Sequence, residues 1–168
     1  VLAALAPGPG AAQFRSDWET RQEKLDWKEA ETKLPAYPRA ENLIGFFVSA
    51  ASDFRFFVDS ASVSAGPDGV VRYTLVARSP AGAENVTYEG IRCATSEYRI
   101  YAIGRRGEAW GGRATPWRVI ELRTTQRWHN ALYIEYFCPS GQPIRTAQEG
   151  VDALRRGGHP EARAPHLR

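Results

Sequence analysis

The sequence predicts an α+β fold, an antiparallel meander of five to six strands with two C-terminal helices packed on one of its faces. Three observations lead there. Between residues 43 and 122, short apolar stretches of period two are separated by turns bearing Gly and Pro. Beyond residue 124 the apolar period becomes helical, twice. At 168 residues and 43% hydrophobic content the chain can bury one core of ordinary size, and no internal repeat marks a second domain.

Taken in order, Val1 to Ala6 reads as the end of an apolar leader, broken by Pro7-Gly8-Pro9. Gly10-Ala11-Ala12 then offers small residues where a signal peptidase reads, so cleavage is expected after Ala12. The alternative is an Ala/Pro/Gly leader on a cytosolic protein. Residues 13–42 form a polar segment and a proline-rich connector. Within it, Ser16 and Glu19 have capping-box spacing, and Trp18, Leu25 and Trp27 are the large apolar residues. Pro35 and Pro38 bias their predecessors towards extended backbone. The single α+β domain is expected over 43–157, its buried part beginning with Leu43 to Val48, and a disordered tail over 158–168.

Inside the domain, Phe54, Phe56 and Val58 alternate with polar partners, Pro67-Asp68-Gly69 turns, and Val71, Tyr73, Leu75 and Ala77 line one strand face. The strand from Asn85 to Cys93 changes phase: Val86 and Tyr88 have one parity, Ile91 and Cys93 the other. A bulge at Gly90 would return all four to one face. Tyr98, Ile100 and Ala102 alternate, Gly104 to Gly107 turns, and 108–110 and 117–122 supply two short strands. Trp128, Leu132 and Tyr136 then recur at helical spacing in a helix over 125–137. Thr146 and Glu149 cap a second helix with Ala147, Val151 and Leu154 on its stripe, ended by Gly157-Gly158.

Composition narrows function mainly by exclusion. The net charge is +3, with 22 basic residues, all but three of them arginine, matched by 19 acidic ones. That scattered balance argues against a nucleic-acid binder, whose positive charge gathers on one face. Cys93 and Cys138 stand 45 positions apart with no CxxC and no His/Cys cluster at zinc spacing. In an exported chain they more simply make one disulfide, tying a strand to a helix terminus. Two buried free thiols are the alternative.

Neither a catalytic residue, a metal site nor a cofactor is expected. His129 neighbours Tyr133 and Arg127 at helical spacing, not a carboxylate, and reads as a core-edge or surface residue. Asp59, Glu89 and Glu97 read as isolated, solvent-facing strand acids. Gly104-Arg105-Arg106-Gly107 lacks the helix N-terminus that makes a phosphate loop work. Tyr101, Arg105, Arg106, Trp110, Arg113 and Trp117 are the candidate binding surface, since aromatic and arginine side chains together anchor interfaces. Core tryptophans with arginines packed around them are the plainer alternative.

Several strings in order carry a resemblance: Leu34-Pro35-Ala36-Tyr37-Pro38, Gly69 to Leu75, Ser79 to Val86, Tyr88 to Cys93 and Tyr136-Phe137-Cys138-Pro139. Over about residues 17–156 the chain resembles the cryptic neisserial protein 1-like family of bacterial exported proteins. The resemblance implies a periplasmic or envelope location and paired cysteines, and it carries over no catalytic residue. The expected function is therefore a non-catalytic periplasmic or cell-envelope binding module, with an envelope protein or glycan as partner and no transmembrane segment. A periplasmic hydrolase with a spatially assembled site is the alternative.

Overall fold

The computed structural model describes residues 26–121 and 127–162. The leader, the cleavage point after Ala12, the Ser16–Glu19 cap, Leu25, Leu122 and Thr125 lie outside these residues.

A single 3-10 turn, Ala40–Asn42, leads into the sheet. Its strands are β1 (Leu43–Phe46), β2 (Arg55–Ala65), β3 (Val70–Arg78), β4 (Glu84–Arg92), β5 (Glu97–Arg105), β6 (Ala109–Gly111) and β7 (Arg118–Val119). All pairings are antiparallel, in the order β1-β2-β3-β4-β5-β6, with the two-residue β7 also on β5. Sequential strands joined by short turns build the meander the alternation predicts. Helix α1 (Arg127–Ala131) runs into a π-helical stretch, Leu132–Phe137, and α2 spans Ala147–Arg156. The Thr146 hydroxyl accepts from the Glu149 N–H at 3.1 Å, and Gly157 closes α2 with φ of 77°. Both signals are local, so the sequence shows them plainly.

One sheet face carries the core. Val58, Val71, Tyr73, Leu75 and Ile91 meet Leu132, Tyr136 and Phe137 of the π-helical stretch and Val151 and Leu154 of α2. The Cys93–Cys138 disulfide, Cα–Cα 5.5 Å, staples the residue after β4 to the residue after the π-helical stretch.

The second sheet face is covered as well, which corrects the expected bulge at Gly90. β3 and β4 pair without a register shift through Arg72↔Gly90. The phase change in β4 is simply two buried faces: Ile91 points at the helices, while Val86 and Tyr88 point the other way, and all three are buried. The irregularity lies in β5, where Tyr88 pairs with Ala102 and Glu89 with Ile100, leaving Tyr101 as the extra residue. Gly90 is needed for space instead. A Cβ there would stand 2.8 Å from the Tyr101 ring and hydroxyl and 3.0 Å from Val70. Gly90→Ala is expected to cost about 1–3 kcal/mol by overpacking, measured as a lowered denaturant midpoint; an unchanged midpoint would mean the ring moves aside freely.

The tail expected from residue 158 also needs correction over its described part. His159 is buried, its N–H donates to the Glu135 carbonyl at 2.7 Å, and its Nε2 lies 2.9 Å from Glu149 Oε1. These bonds fold the chain back over the end of α2, a long-range arrangement that aperiodic sequence does not announce. Residues 163–168 lie outside the described residues.

Candidate functional site

Among the described residues, three centres gather chemistry-bearing side chains: one sealed, one half-buried and one open. The first corrects the reading of His129 and Glu89. His129 on α1 is 1% exposed and Glu89 on β4 is 0% exposed. Nε2 of His129 faces Glu89 Oε2 at 2.8 Å across 40 residues of sequence. The Tyr73 hydroxyl donates to the same oxygen at 3.0 Å, and the Thr87 hydroxyl donates to Oε1 at 2.6 Å. The Tyr98 ring stacks on the imidazole, centroids 3.7 Å apart. Burial pushes the Glu89 carboxyl up, but the charge and hydrogen bond of His129 and the Thr87 and Tyr73 hydroxyls outweigh it, and the group stays below the usual carboxylate range. Burial beside Glu89 drives the Tyr73 phenol well above its ordinary value.

A histidine held by a carboxylate is the base half of a nucleophile's activating machinery. The other ring nitrogen, His129 Nδ1, has no hydrogen-bond partner among the described residues. Both groups are also sealed from solvent, so a substrate atom cannot reach them without the helix moving. Asp59 departs from expectation in the same way. It is 3% exposed, burial raises its carboxyl although the Ala61 N–H counters, and its backbone oxygen accepts from Ser62 where β2 leaves register.

The second centre lies on the opposite sheet face, beneath residues 27–37. This segment has no periodic pattern, yet its side chains are specifically engaged. Glu29 takes hydrogen bonds from Arg99 and the Tyr101 hydroxyl, with the Trp117 indole N–H at 3.4 Å and Arg72 at 3.7 Å. Arg72 forks onto Asp68 at 2.6 and 3.1 Å and donates from Nε to the Thr32 hydroxyl at 3.0 Å. Burial raises the Asp68 carboxyl, but Arg72 and the N–H groups of Ala30 and Val70 hold it below its usual range. The Trp27 ring sits under the Arg92 guanidinium at 3.9 Å, edge-on to Trp117, and its N–H donates to the Asp68 carbonyl. Further along, the Trp110 N–H donates to the Pro35 carbonyl at 2.8 Å and its ring meets Tyr37.

The six residues of the candidate binding surface are thus split. Tyr101, Trp110 and Trp117 are half-buried and bonded to residues 29–37, whereas Arg105 and Arg106 are exposed at the β5–β6 turn and Arg113 is exposed beyond β6. Burial and the Glu29 hydrogen bond raise the Tyr101 phenol, which therefore stays neutral. Sequence reading missed Glu29 and Arg72, because nothing local marks a segment that folds back some 70 residues.

The third centre is open. The connection from β1 to β2 frames a cleft of about 400 Å³ lined by Gly45, Phe46, Phe47, Val48, Ser49, Ser52 and Phe54 to Phe57. Phe47 is 67% and Phe54 41% exposed, so the stretch expected to open the buried part ends in a solvated ring. Inward from the cleft, Phe54 stacks on Phe56 and Phe56 on Trp128. The Ser49 hydroxyl accepts from the Ala51 N–H, and the Ser52 hydroxyl accepts from the Phe54 N–H. One signal could have found this site: the doublets Phe46-Phe47 and Phe56-Phe57 put successive rings on opposite sides of a strand, so one face cannot bury them all.

Among the described residues there is no group of three His, Cys, Asp or Glu side chains placed to hold a metal, and no helix long and apolar enough to cross a membrane. In comparison with known proteins, the model of the CNP1-like family matches residues 22–155. Cryptic neisserial protein 1 of Neisseria gonorrhoeae (strain ATCC 700825 / FA 1090) is 29% identical over 161 residues, covering 84% of this chain and 78% of the relative. No solved structure matches.

Proposed function

The chain belongs to the CNP1-like family, and from that premise we propose that it is a non-catalytic binding module of the bacterial envelope, working in the periplasm. One contrast carries this reading. The pair best suited to catalysis, Glu89 and His129, is sealed beneath the helices, while an aromatic cleft stands open at the end of the sheet. Catalytic groups must touch substrate, whereas apolar concavities with few polar groups are what binding sites use. The buried Cys93–Cys138 bridge supports an oxidising compartment, in line with the leader read over Val1 to Ala12.

The test incubates the full chain with periplasmic extract and identifies by mass spectrometry both the proteins and the small molecules recovered with it. A species retained by the wild type and by Arg105→Ala/Arg106→Ala, and lost from Phe47→Ala/Phe54→Ala, is the expected result. Loss from the arginine variant alone would move binding to the β5–β6 turn. A hydrolytic activity on ester or peptide probes, abolished in a folded His129→Gln variant, would replace this reading with the hydrolase.

A further inference from the structure

We propose that the β1–β2 cleft takes a single-chain acyl carboxylate, its tail against Phe47 and Phe54 and its head on Arg55. The inference rests on reading the cleft as a binding site and adds the class of ligand. At about 400 Å³ the cleft falls in the size range of small-molecule sites. Phe47 and Phe54 leave large apolar rings in water, and covering them is favourable for any apolar body of matching shape.

The charge at the rim selects an anion. Arg55 lies directly across from Arg78 in the β2–β3 register, and like charges so placed repel. Arg78 is answered: Glu84 holds it at 2.6 Å and its guanidinium rests 4.8 Å from the Phe57 ring. Arg55 is exposed and has no ion-pair partner among the described residues, nearby Asp53 included. One acid therefore serves two adjacent arginines, and a carboxylate would relieve the remaining charge.

The walls select the body of the ligand. The hydroxyls of Ser49 and Ser52 already accept from backbone N–H groups of the loop. A peptide entering the cleft would bring more amide donors and acceptors than two serine hydroxyls can pair among these phenylalanine rings, at a desolvation cost. An acyl chain brings none.

Decanoate, decanol and decyltrimethylammonium, titrated into the isotopically labelled full chain, separate head from tail. Decanoate should shift the backbone amides of residues 45–57 saturably and bind more tightly than decanol, with the cation weakest. Arg55→Gln should weaken decanoate about five-fold and leave decanol unchanged, the effect of one solvent-exposed charge pair. Phe47→Ala/Phe54→Ala should weaken both. All three side chains are exposed, so melting temperatures should hold. Equal affinity for decanoate and decanol, unmoved by Arg55→Gln, would overturn the anionic ligand and leave the binding reading standing. No shift with any probe would overturn the cleft as a small-ligand site, while loss of a retained protein from the phenylalanine variant would still uphold the binding module.

Discussion

Glu89→Ala should destabilise the protein by about 3–5 kcal/mol, the usual cost of removing one partner from a buried charged pair. At this chain length each kcal/mol lowers the melting temperature by roughly 2–4 °C, so thermal unfolding should show the loss directly. The size follows from what is left behind. His129, Tyr73 and Thr87 all direct a polar atom at the Glu89 carboxylate; the first two would then be buried with no partner there, and half-buried Thr87 would lose its own. Glu89→Gln nearly keeps the shape and should cost less. It separates packing from charge through pH. The folded Glu89 carboxyl lies below its ordinary value, so its contribution is present above the unfolded value of about 4.3 and is lost as pH falls through the folded value. Asp68 and Glu149 are shifted in the same direction and remain in the variant. The wild-type acid unfolding curve should therefore be steeper than that of Glu89→Gln. Parallel curves would show that Glu89 is not held as an anion in the folded state.

The same pair marks where the sequence stops being legible. Helical spacing displays the neighbours of His129 on its own helix, but its carboxylate comes from a strand 40 residues earlier. The meander and the cap of α2 are readable because their determinants are adjacent in the chain: glycine turns, alternation, and Thr146 three residues before Glu149. The phase change around Gly90 is visible in the sequence, but it marks two buried faces and not a bulge there. Alternation identifies a face only when the other face is wet, and here residues 27–37 dry it. Trp27 and Glu29 gave no warning of that role. An extended strap held by one carboxylate, one indole and a few backbone groups leaves no periodic trace. Arginine–aromatic clustering did point to Tyr101, Trp110 and Trp117, but as an outward surface, and their partners belong to the same chain.

Removing the bridge with Cys93→Ala/Cys138→Ala should cost about 4 kcal/mol, the loop-closure entropy for a loop of this length, and lower the melting temperature by roughly 10 °C. The two ends of the bridge show why so much depends on it. Cys93 begins the 3-10 turn Cys93–Thr95 directly after β4, and Cys138 caps the π-helical stretch that carries Leu132, Tyr136 and Phe137 into the core. The Tyr133 hydroxyl donates to the Cys93 carbonyl at 3.2 Å and accepts from Ser96 at 2.8 Å, so non-covalent contacts follow the same path and should hold the pairing in part. Both cysteines are buried, at 1% and 2% exposure. Mild reductant should therefore leave the native bridge intact, and reduction should follow unfolding by denaturant. Mass spectrometry of protein taken from the periplasm, digested without reduction, should give the Cys93–Cys138 peptide pair. Two free thiols in that sample would remove both the expected stability loss and the chemical support for an oxidising compartment. A double alanine variant that melts with the wild type would instead show that non-covalent contacts such as those of Tyr133 suffice to close the loop.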